Sequence, residues 1–164
     1  MINAIRFYRI ARWLYLHHIP LFPKLFQLLI FLMYNCNIPY KCNIGKGSFF
    51  NHGGIGVLIN SKVIIGNGSK IGNNVSIVGQ GPYKTAPRIG NHVYIGPGAI
   101  IQGPVIVDDN VIIAPNSVVT KSVPQYAIVA GIPAKIIGDV RKLEYDIFKN
   151  ESWKEGTKEY LKFN

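Results

Sequence analysis

The chain has 164 residues and a mass of 18.3 kDa, enough for one domain of ordinary size. Its 48% hydrophobic and 16% charged residues exclude a disordered chain. Eighteen Lys and Arg residues against eight Asp and Glu residues give a net charge of +10, and every acid lies at or after Asp108. Since residues 1–107 contain no Asp or Glu, any mechanism that needs a carboxylate from this part of the chain is excluded. The excess of basic residues predicts an anionic partner, whether a phosphate-bearing cofactor, an acidic membrane or an acidic polymer.

Residues 1–37 are predicted to form one or two helices, with a break at Pro20 and Pro23. The apolar stretch 25–34 is too short to span a bilayer, and no small-residue cleavage site follows it. Basic and aromatic residues alternate here, which suits either peripheral contact with an anionic membrane or a helix packed on an oligomer. The basic residues are Arg6, Arg9, Arg12 and Lys24.

The two cysteines, Cys36 and Cys42, form neither a disulfide framework nor a zinc-binding spacing. They predict reduced thiols in a cytoplasmic protein, which could also lie at the inner face of the membrane.

A six-residue repeat dominates the middle of the chain. From Ile59 to Val119 every sixth residue is Ile or Val, with Tyr83 as the exception. A period of six is typical of short parallel strands joined by tight turns, three of which make one coil of about 18 residues. The sequence therefore predicts an all-β core, a parallel β-helix over residues 38–138. A polar tail with helical character is expected over residues 139–164.

With 18 residues per coil, the core residues are expected to stack in three columns. The predicted columns are Ile59, Ile77, Ile95 and Ile113; Ile65, Tyr83, Ile101 and Val119; and Ile71, Ile89 and Val107. Residues 80–87 keep the phase but lack the usual Ile-Gly pair, so Tyr83 is expected either in the core or in an outward loop that binds the acceptor. The repeat slips by three residues within 52–56, and such interruptions often mark functional sites.

These patterns resemble those of the hexapeptide-repeat acyltransferases, which fold as left-handed parallel β-helices. Residues 44–47, 51–57 and 131–138 resemble the serine acetyltransferase branch, which includes enzymes that O-acetylate capsular and other surface polysaccharides. The basic, aromatic segment 6–15 is more similar to the polysaccharide enzymes. The resemblance implies acetyl-CoA as co-substrate, a hydroxyl acceptor, and a homotrimer with active sites between subunits.

The resemblance places His52 at the position of the catalytic histidine. A neutral imidazole that takes the proton of an attacking hydroxyl accelerates transfer by about 10²–10⁴-fold. Two acids of the serine enzymes correspond to Asn37 and Asn51 here, and a second histidine corresponds to Ala86. Asn37, Asn51 or a backbone carbonyl is expected to orient His52. These departures favour a sugar over serine as the acceptor.

The resemblance also implies where the cofactor binds. Its pantetheine arm would lie along the turns Gly96-Pro97 and Ala114-Pro115, with Lys121, Ala134 and Lys135 near its phosphates, although each lysine also fits an ordinary solvated charge. No metal is expected, because the β-helix contains only His52 and His92, too few for the three zinc-binding histidines of a γ-type carbonic anhydrase.

The sequence thus predicts an O-acetyltransferase that moves acetyl from acetyl-CoA to a sugar hydroxyl of a capsular or other surface polysaccharide or its precursor, with His52 as general base. One alternative is a serine O-acetyltransferase of cysteine biosynthesis, and another is a non-catalytic β-helix that binds an anionic polymer. Nucleic-acid binding is disfavoured, because the basic residues are thinly spread and form no recognition motif.

Overall fold

Two helices precede the repeats in the computed structural model, which describes residues 2–144 and 146–148. Helix α1 spans Ala4–Leu16 and helix α2 spans Phe22–Tyr34. The Asn3 side chain caps α1 by accepting a hydrogen bond from the Ile5 amide at 3.1 Å. Pro23 lies in the first turn of α2, where its missing N–H costs nothing. The expected helices and the break between them are therefore confirmed.

Short strands of two to five residues follow, joined by tight turns. In the described part of the chain they are β1 (Asn43–Ile44), β2 (Phe49–Phe50), β3 (Leu58–Ile59), β4 (Ile64–Ile65), β5 (Lys70–Ile71), β6 (Ser76–Val78), β7 (Arg88–Ile89), β8 (Tyr94–Ile95), β9 (Ile100–Gln102), β10 (Ile106–Val107), β11 (Ile112–Ile113), β12 (Val118–Val119), β13 (Ala127–Ala130) and β14 (Lys135–Asp139).

The strands form three parallel sheets that the chain visits in rotation. Sheet 1 has the order β1-β4-β7-β10, sheet 2 the order β2-β5-β8-β11-β13-β14, and sheet 3 the order β3-β6-β9-β12. Among the described strands, the last pair of sheet 2, β13 with β14, is the one antiparallel pair. This is the predicted left-handed parallel β-helix.

The core is a set of aliphatic ladders, but the predicted columns are only partly right. Sheet 3 pairs Ile59 with Ile77 as expected and then pairs Ile77 with Ile101, which lies 24 residues further on. Ile65 likewise pairs with Ile89, and Ile71 with Ile95. The later pairs, such as Ile95 with Ile113, return to a spacing of 18.

An insertion of six residues explains why part of the predicted stacking is wrong. Residues 79–87 leave the β-helix as a loop between β6 and β7, and Tyr83 is 57% exposed instead of filling a core column. An insertion of six residues preserves the six-residue phase along the sequence. It nevertheless moves every later strand to the next sheet, so Ile95 stacks on Ile71 and not on Ile77.

Helix α1 covers the open end of the first coil. The buried Tyr8 hydroxyl donates to the Cys42 carbonyl at 2.8 Å and accepts from the Ile44 amide at 3.0 Å. Arg9 donates to the Ile44 carbonyl at 2.5 Å, and Arg12 donates to the Cys42 carbonyl at 2.7 Å. These side chains form hydrogen bonds with backbone atoms of the first coil, in the place that a neighbouring coil takes elsewhere in the β-helix. Arg9 and Arg12 therefore stabilise the fold, whereas Arg6 and Lys24 are exposed.

The buried thiols give a pH-dependent prediction. Burial raises the pKa of Cys36 and of Cys42 from 9.0 to about 12. The unfolded chain loses these protons first, so stability should be unaffected below pH 9 and should fall between pH 9 and 12, by at most about 1.4 kcal/mol per pH unit for each thiol.

Urea unfolding at pH 8, 10 and 11 measures this fall, and a thiol-reactive dye at pH 8 tests the burial that causes it. We expect no reaction in the native protein and two thiols per chain after denaturation. Rapid labelling of the native protein would contradict the burial of both cysteines.

The last described strand, β14, runs antiparallel to its neighbour. After β13 the chain turns at Gly131–Ala134 and returns as β14, and Val140–Lys142 then form a 3-10 helix. Residues 149–164, where most of the helical tail was predicted, lie outside the described residues. Within the described ranges, no helix combines the length and apolarity needed to cross a bilayer.

Candidate active site

The turns that leave sheet 2 and enter sheet 3 stack along one edge of the β-helix, called here the His52 edge. It consists of residues 51–57, 72–75, 96–99 and 114–117, and the turn 131–134 lies at its end. Because neighbouring coils stack about 4.8 Å apart, the first four turns line a strip about 15 Å long.

Backbone hydrogen bonds identify the residues that interrupt the repeat. The Gly98 amide donates to the Asn73 carbonyl, and the Asn116 amide donates to the Pro97 carbonyl, both at 2.9 Å. In the same way the Asn74 amide donates to the Ile55 carbonyl at 2.9 Å. Gly54 therefore corresponds to Gly72, Gly96 and Ala114 in the later coils. The three extra residues are 51, 52 and 53, so the candidate base lies on a bulge at the end of this edge.

The bulge is a tight turn, Asn51–Gly54, whose last three residues have a positive φ. His52 has φ 50° and ψ 33°, and Gly53 and Gly54 follow with φ 79° and 98°. Residues other than glycine seldom adopt this region, and they do so mostly in turns and at functional sites. His52 is exposed, and its ring makes no hydrogen bond with any other residue that the structure describes. Its imidazole is thus available to a substrate or to another subunit.

Helix α1 supports the bulge from below. The Asn3 side chain donates to the Phe50 carbonyl at 2.6 Å, immediately before the bulge. A Cβ atom on Gly54 would lie 3.1 Å from Cβ of Phe50 and 3.4 Å from Cβ of Ala4. Glycine at 54 therefore lets the helix approach closely and holds the backbone that presents His52.

The two asparagines expected to orient His52 are placed differently. Asn51 belongs to the bulge itself. Asn37 lies at the end of sheet 3, where it forms a bridge with Leu58, and its side-chain oxygen accepts a hydrogen bond from Gln27 at 3.1 Å. Neither side chain bonds to the His52 ring within the described part of the chain. Their roles remain predictions.

The turns proposed for the cofactor lie on the same edge as His52. Gly96 and Pro97 are in the third coil, and Ala114 and Pro115 stack on them in the fourth. A Cβ atom on Gly96 would be 2.5 Å from the Pro115 nitrogen, so the coils can stack here only without a side chain. Small and flat residues thus leave the strip open to an extended ligand.

The remaining cofactor candidates are divided between two places. Ala134 and Lys135 lie at the far end of the His52 edge, where the Ala134 amide donates to the Val118 carbonyl at 2.8 Å. Lys121 follows β12 and lies on the next edge, where sheet 3 leads back to sheet 1. Within one chain, Lys121 therefore does not stack with Pro115.

Gly96→Ala tests the close stacking of this edge. We expect the added methyl group to lower the free energy of unfolding by about 1–3 kcal/mol, because it must displace backbone and not a flexible side chain. Gly79→Ala is the matched control, since its Cβ would be no closer than 3.7 Å to other atoms. Urea unfolding measures both. Equal midpoints for the two variants would contradict the stacking shown here.

Each of the other two edges of the β-helix borders a cavity in the described part of the chain. One, of about 590 Å³, lies between the C-terminal segment and the edge that joins sheets 1 and 2, and it contains His92, Tyr126, Arg141 and Phe148. Sequence patterns did not indicate it, because most of the residues that line it follow the repeat. The other, of about 310 Å³, lies beneath the loop 79–87, beside Lys62, which donates to the Lys84 carbonyl at 3.0 Å. The predicted acceptor loop thus occupies a different edge from His52 of the same chain.

Comparison with known proteins agrees with this architecture. The family described as bacterial transferase hexapeptide (six repeats) matches residues 86–121. A serine acetyltransferase of Synechococcus elongatus is 35% identical over 82% of this chain and 56% of its own length. A solved serine acetyltransferase from Brucella abortus, in complex with coenzyme A, superposes with a TM-score of 0.78 at 33% identity, over 83% of this chain and 55% of its own. A solved serine acetyltransferase from Neisseria gonorrhoeae superposes with a TM-score of 0.79 at 29% identity, over 85% of this chain and 55% of its own.

The fold and its six-residue repeat define a hexapeptide-repeat β-helix protein. Residues 86–121 match the hexapeptide-repeat transferase family, and serine acetyltransferases are among the proteins that the chain is similar to. It spans about half the length of the curated relatives that it matches.

Proposed function

We propose that this protein is an acetyl-CoA-dependent O-acetyltransferase with His52 as its general base. The observation that carries the proposal is the shared edge: an exposed histidine on a three-residue bulge, in line with turns that begin with the small residues Gly72, Gly96 and Ala114. A thioester substrate laid along this strip would bring its carbonyl toward the bulge. The similarity to a serine acetyltransferase solved with coenzyme A supports the same cofactor.

In the proposed reaction, the acceptor hydroxyl oxygen attacks the thioester carbonyl carbon while a ring nitrogen of His52 takes the hydroxyl proton. The tetrahedral intermediate then collapses, and its carbon–sulfur bond breaks. The leaving thiolate of coenzyme A takes the proton back from the imidazolium, so the histidine ends as it began. Backbone amides near the glycine-rich bulge are our candidates for stabilising the oxyanion.

L-Serine is the acceptor we propose first. The relatives named above are serine acetyltransferases, which favours serine, the alternative acceptor of the sequence analysis, over a polysaccharide.

A sugar hydroxyl is the second candidate, and three residues favour it. Asn37 and Asn51 stand where the resemblance predicts acids, and the buried Ala86 stands where it predicts a second histidine. A site without these groups has fewer ionic contacts for the ammonium and carboxylate of an amino acid.

We also propose a homotrimer with active sites between subunits. In the described chain the His52 ring has no partner, and the loop 79–87 and Lys121 lie on a different edge. A neighbouring subunit could bring these groups to His52. Sedimentation velocity should give three times the chain mass, and a monomer would contradict this arrangement.

Release of free coenzyme A tests the acceptor. Acetyl-CoA is supplied with L-serine, with neutral sugars or capsular oligosaccharides, or with no acceptor, and the new thiol is followed by its reaction with a disulfide dye. We expect L-serine to raise the rate well above hydrolysis. Stimulation by a sugar alone would assign the second acceptor. No stimulation by any of them would favour the non-catalytic β-helix.

A further inference from the structure

The outer face of α2 is an unpaired leucine stripe. Leu21, at the N-cap, and Leu25, Leu28 and Leu32 in the helix follow one another at intervals of four, three and four residues, which places them on one side. Their side chains are between 50% and 77% exposed. Phe22, Phe31 and Met33 flank the stripe and are more than half exposed as well.

The fold already uses the opposite side of this helix. Pro23, Ile30 and Tyr34 are buried, and the rings of Phe26 and Tyr34 lie 6.5 and 6.4 Å from that of Phe7 on α1. In the described part of the chain, at least half of the surface of each of these leucines is therefore left without a packing partner. Seven exposed apolar side chains on one short helix are more than the scattered single residues of an ordinary surface and are typical of an interaction site.

The start of α2 also holds its leucine outward. Leu21 has φ 70°, in the left-handed region that bulky residues seldom adopt, and it is the most exposed leucine of the stripe.

Exposed cations on the two helices indicate the kind of partner. Lys24 on α2 and Arg6 on α1 are exposed, and their side chains form no ion pair or hydrogen bond with another described residue. Neither helix contains an acid, and the sequence has none before Asp108. A surface with anionic headgroups and an apolar interior would match both the cations and the leucines.

A two-fold pairing of this face with a second copy of the chain fits less well. Lys24 and Arg6 would then lie against their own equivalents, with no carboxylate from residues 1–107 to separate them. The helix has 13 residues, fewer than two heptads, which is too short for a coiled coil on its own.

We propose that α2 lies flat on an anionic phospholipid bilayer, with its leucine stripe inserted among the acyl chains and Lys24 and Arg6 at the headgroups. This surface is independent of the proposed catalytic function, because neither acetyl-CoA nor His52 takes part. Of the four basic residues expected at the membrane, it keeps Arg6 and Lys24, and it adds the leucines of α2; Arg9 and Arg12 bond to the first coil instead.

Co-sedimentation of the full chain with vesicles tests the proposal. Vesicles of equal parts phosphatidylcholine and phosphatidylglycerol should sediment the protein in low salt, and vesicles of phosphatidylcholine alone should sediment much less. Added salt should weaken the binding, since it screens the headgroup charge. The double variant Leu25→Gln with Leu32→Gln should reduce the partition coefficient by about tenfold or more, because each leucine loses its apolar burial.

The matched control is Ile106→Gln with Ile136→Gln, two comparably exposed residues on the β-helix. It should bind the vesicles as the unchanged protein does. Three results would overturn the proposal: no sedimentation with anionic vesicles, equal sedimentation of the leucine variant, or equal binding to neutral vesicles. A fall in oligomer mass of the leucine variant, without vesicle binding by the unchanged protein, would assign the face to a second copy instead.

Discussion

His52→Ala is expected to lower kcat for acetyl transfer by about 10²–10⁴-fold, because the acceptor hydroxyl would lose the group that takes its proton. The KM for acetyl-CoA should change little, since the cofactor is expected to bind along the turns beyond the bulge. Steady-state release of coenzyme A, with the acceptor at saturation, measures both quantities.

His92→Ala is the matched control for this substitution. His92 is also an exposed histidine with a left-handed backbone, at φ 49°, and it lies on a different edge of the β-helix. Both substitutions therefore place alanine in the same strained region and should cost similar stability. If the two variants lost the same activity, the loss would come from the backbone and not from a catalytic imidazole.

Ile95→Ala is expected to lower the free energy of unfolding by about 2–5 kcal/mol. Ile95 is completely buried and lies between Ile71 and Ile113 in the ladder of sheet 2. The stacked coils can close the resulting cavity only partly. The loss of unfolding free energy should therefore exceed the free energy of transferring the removed atoms from the core to water. Urea unfolding monitored by circular dichroism gives the value.

Ile106→Ala removes the same atoms from a strand residue that is 51% exposed, and it should change stability by no more than about 0.5 kcal/mol. Ile95→Val should fall between the two, at about 0.5–1.5 kcal/mol. A smaller loss for Ile95→Ala than for Ile106→Ala would contradict the ladder.

The six-residue period was sufficient to predict the fold, because a β-helix places one core residue in every hexad. It was not sufficient to predict which residues stack. The loop that contains Tyr83 has six extra residues, and an insertion equal to the period leaves no trace in the phase. The three-residue slip, by contrast, breaks the phase and could be found from the sequence within 52–56, although the structure places the extra residues at 51–53.

The candidate site was predictable to the same extent. His52 could be found because it lies in that slip, and Gly96 and Ala114 because they precede Pro97 and Pro115 in regular turns. The position of Lys121 on another edge could not be found, because it depends on which sheet each strand joins. The apolar stretch 25–34 showed that the segment was hydrophobic, but only the packing of α1 showed which side of α2 stays exposed.

The proposed function requires one edge of the β-helix to carry both the base and the cofactor. Binding of coenzyme A is measured by calorimetric titration of three proteins: the unchanged chain, Ala114→Tyr, which places a bulky side chain in the fourth turn of the strip, and Ile106→Tyr on the outer face of sheet 1. Thermal unfolding verifies that each variant is folded. We expect the unchanged protein and Ile106→Tyr to bind alike and Ala114→Tyr to bind at least about tenfold more weakly. Equal binding by a folded Ala114→Tyr variant, or no binding by the unchanged protein, would contradict this arrangement.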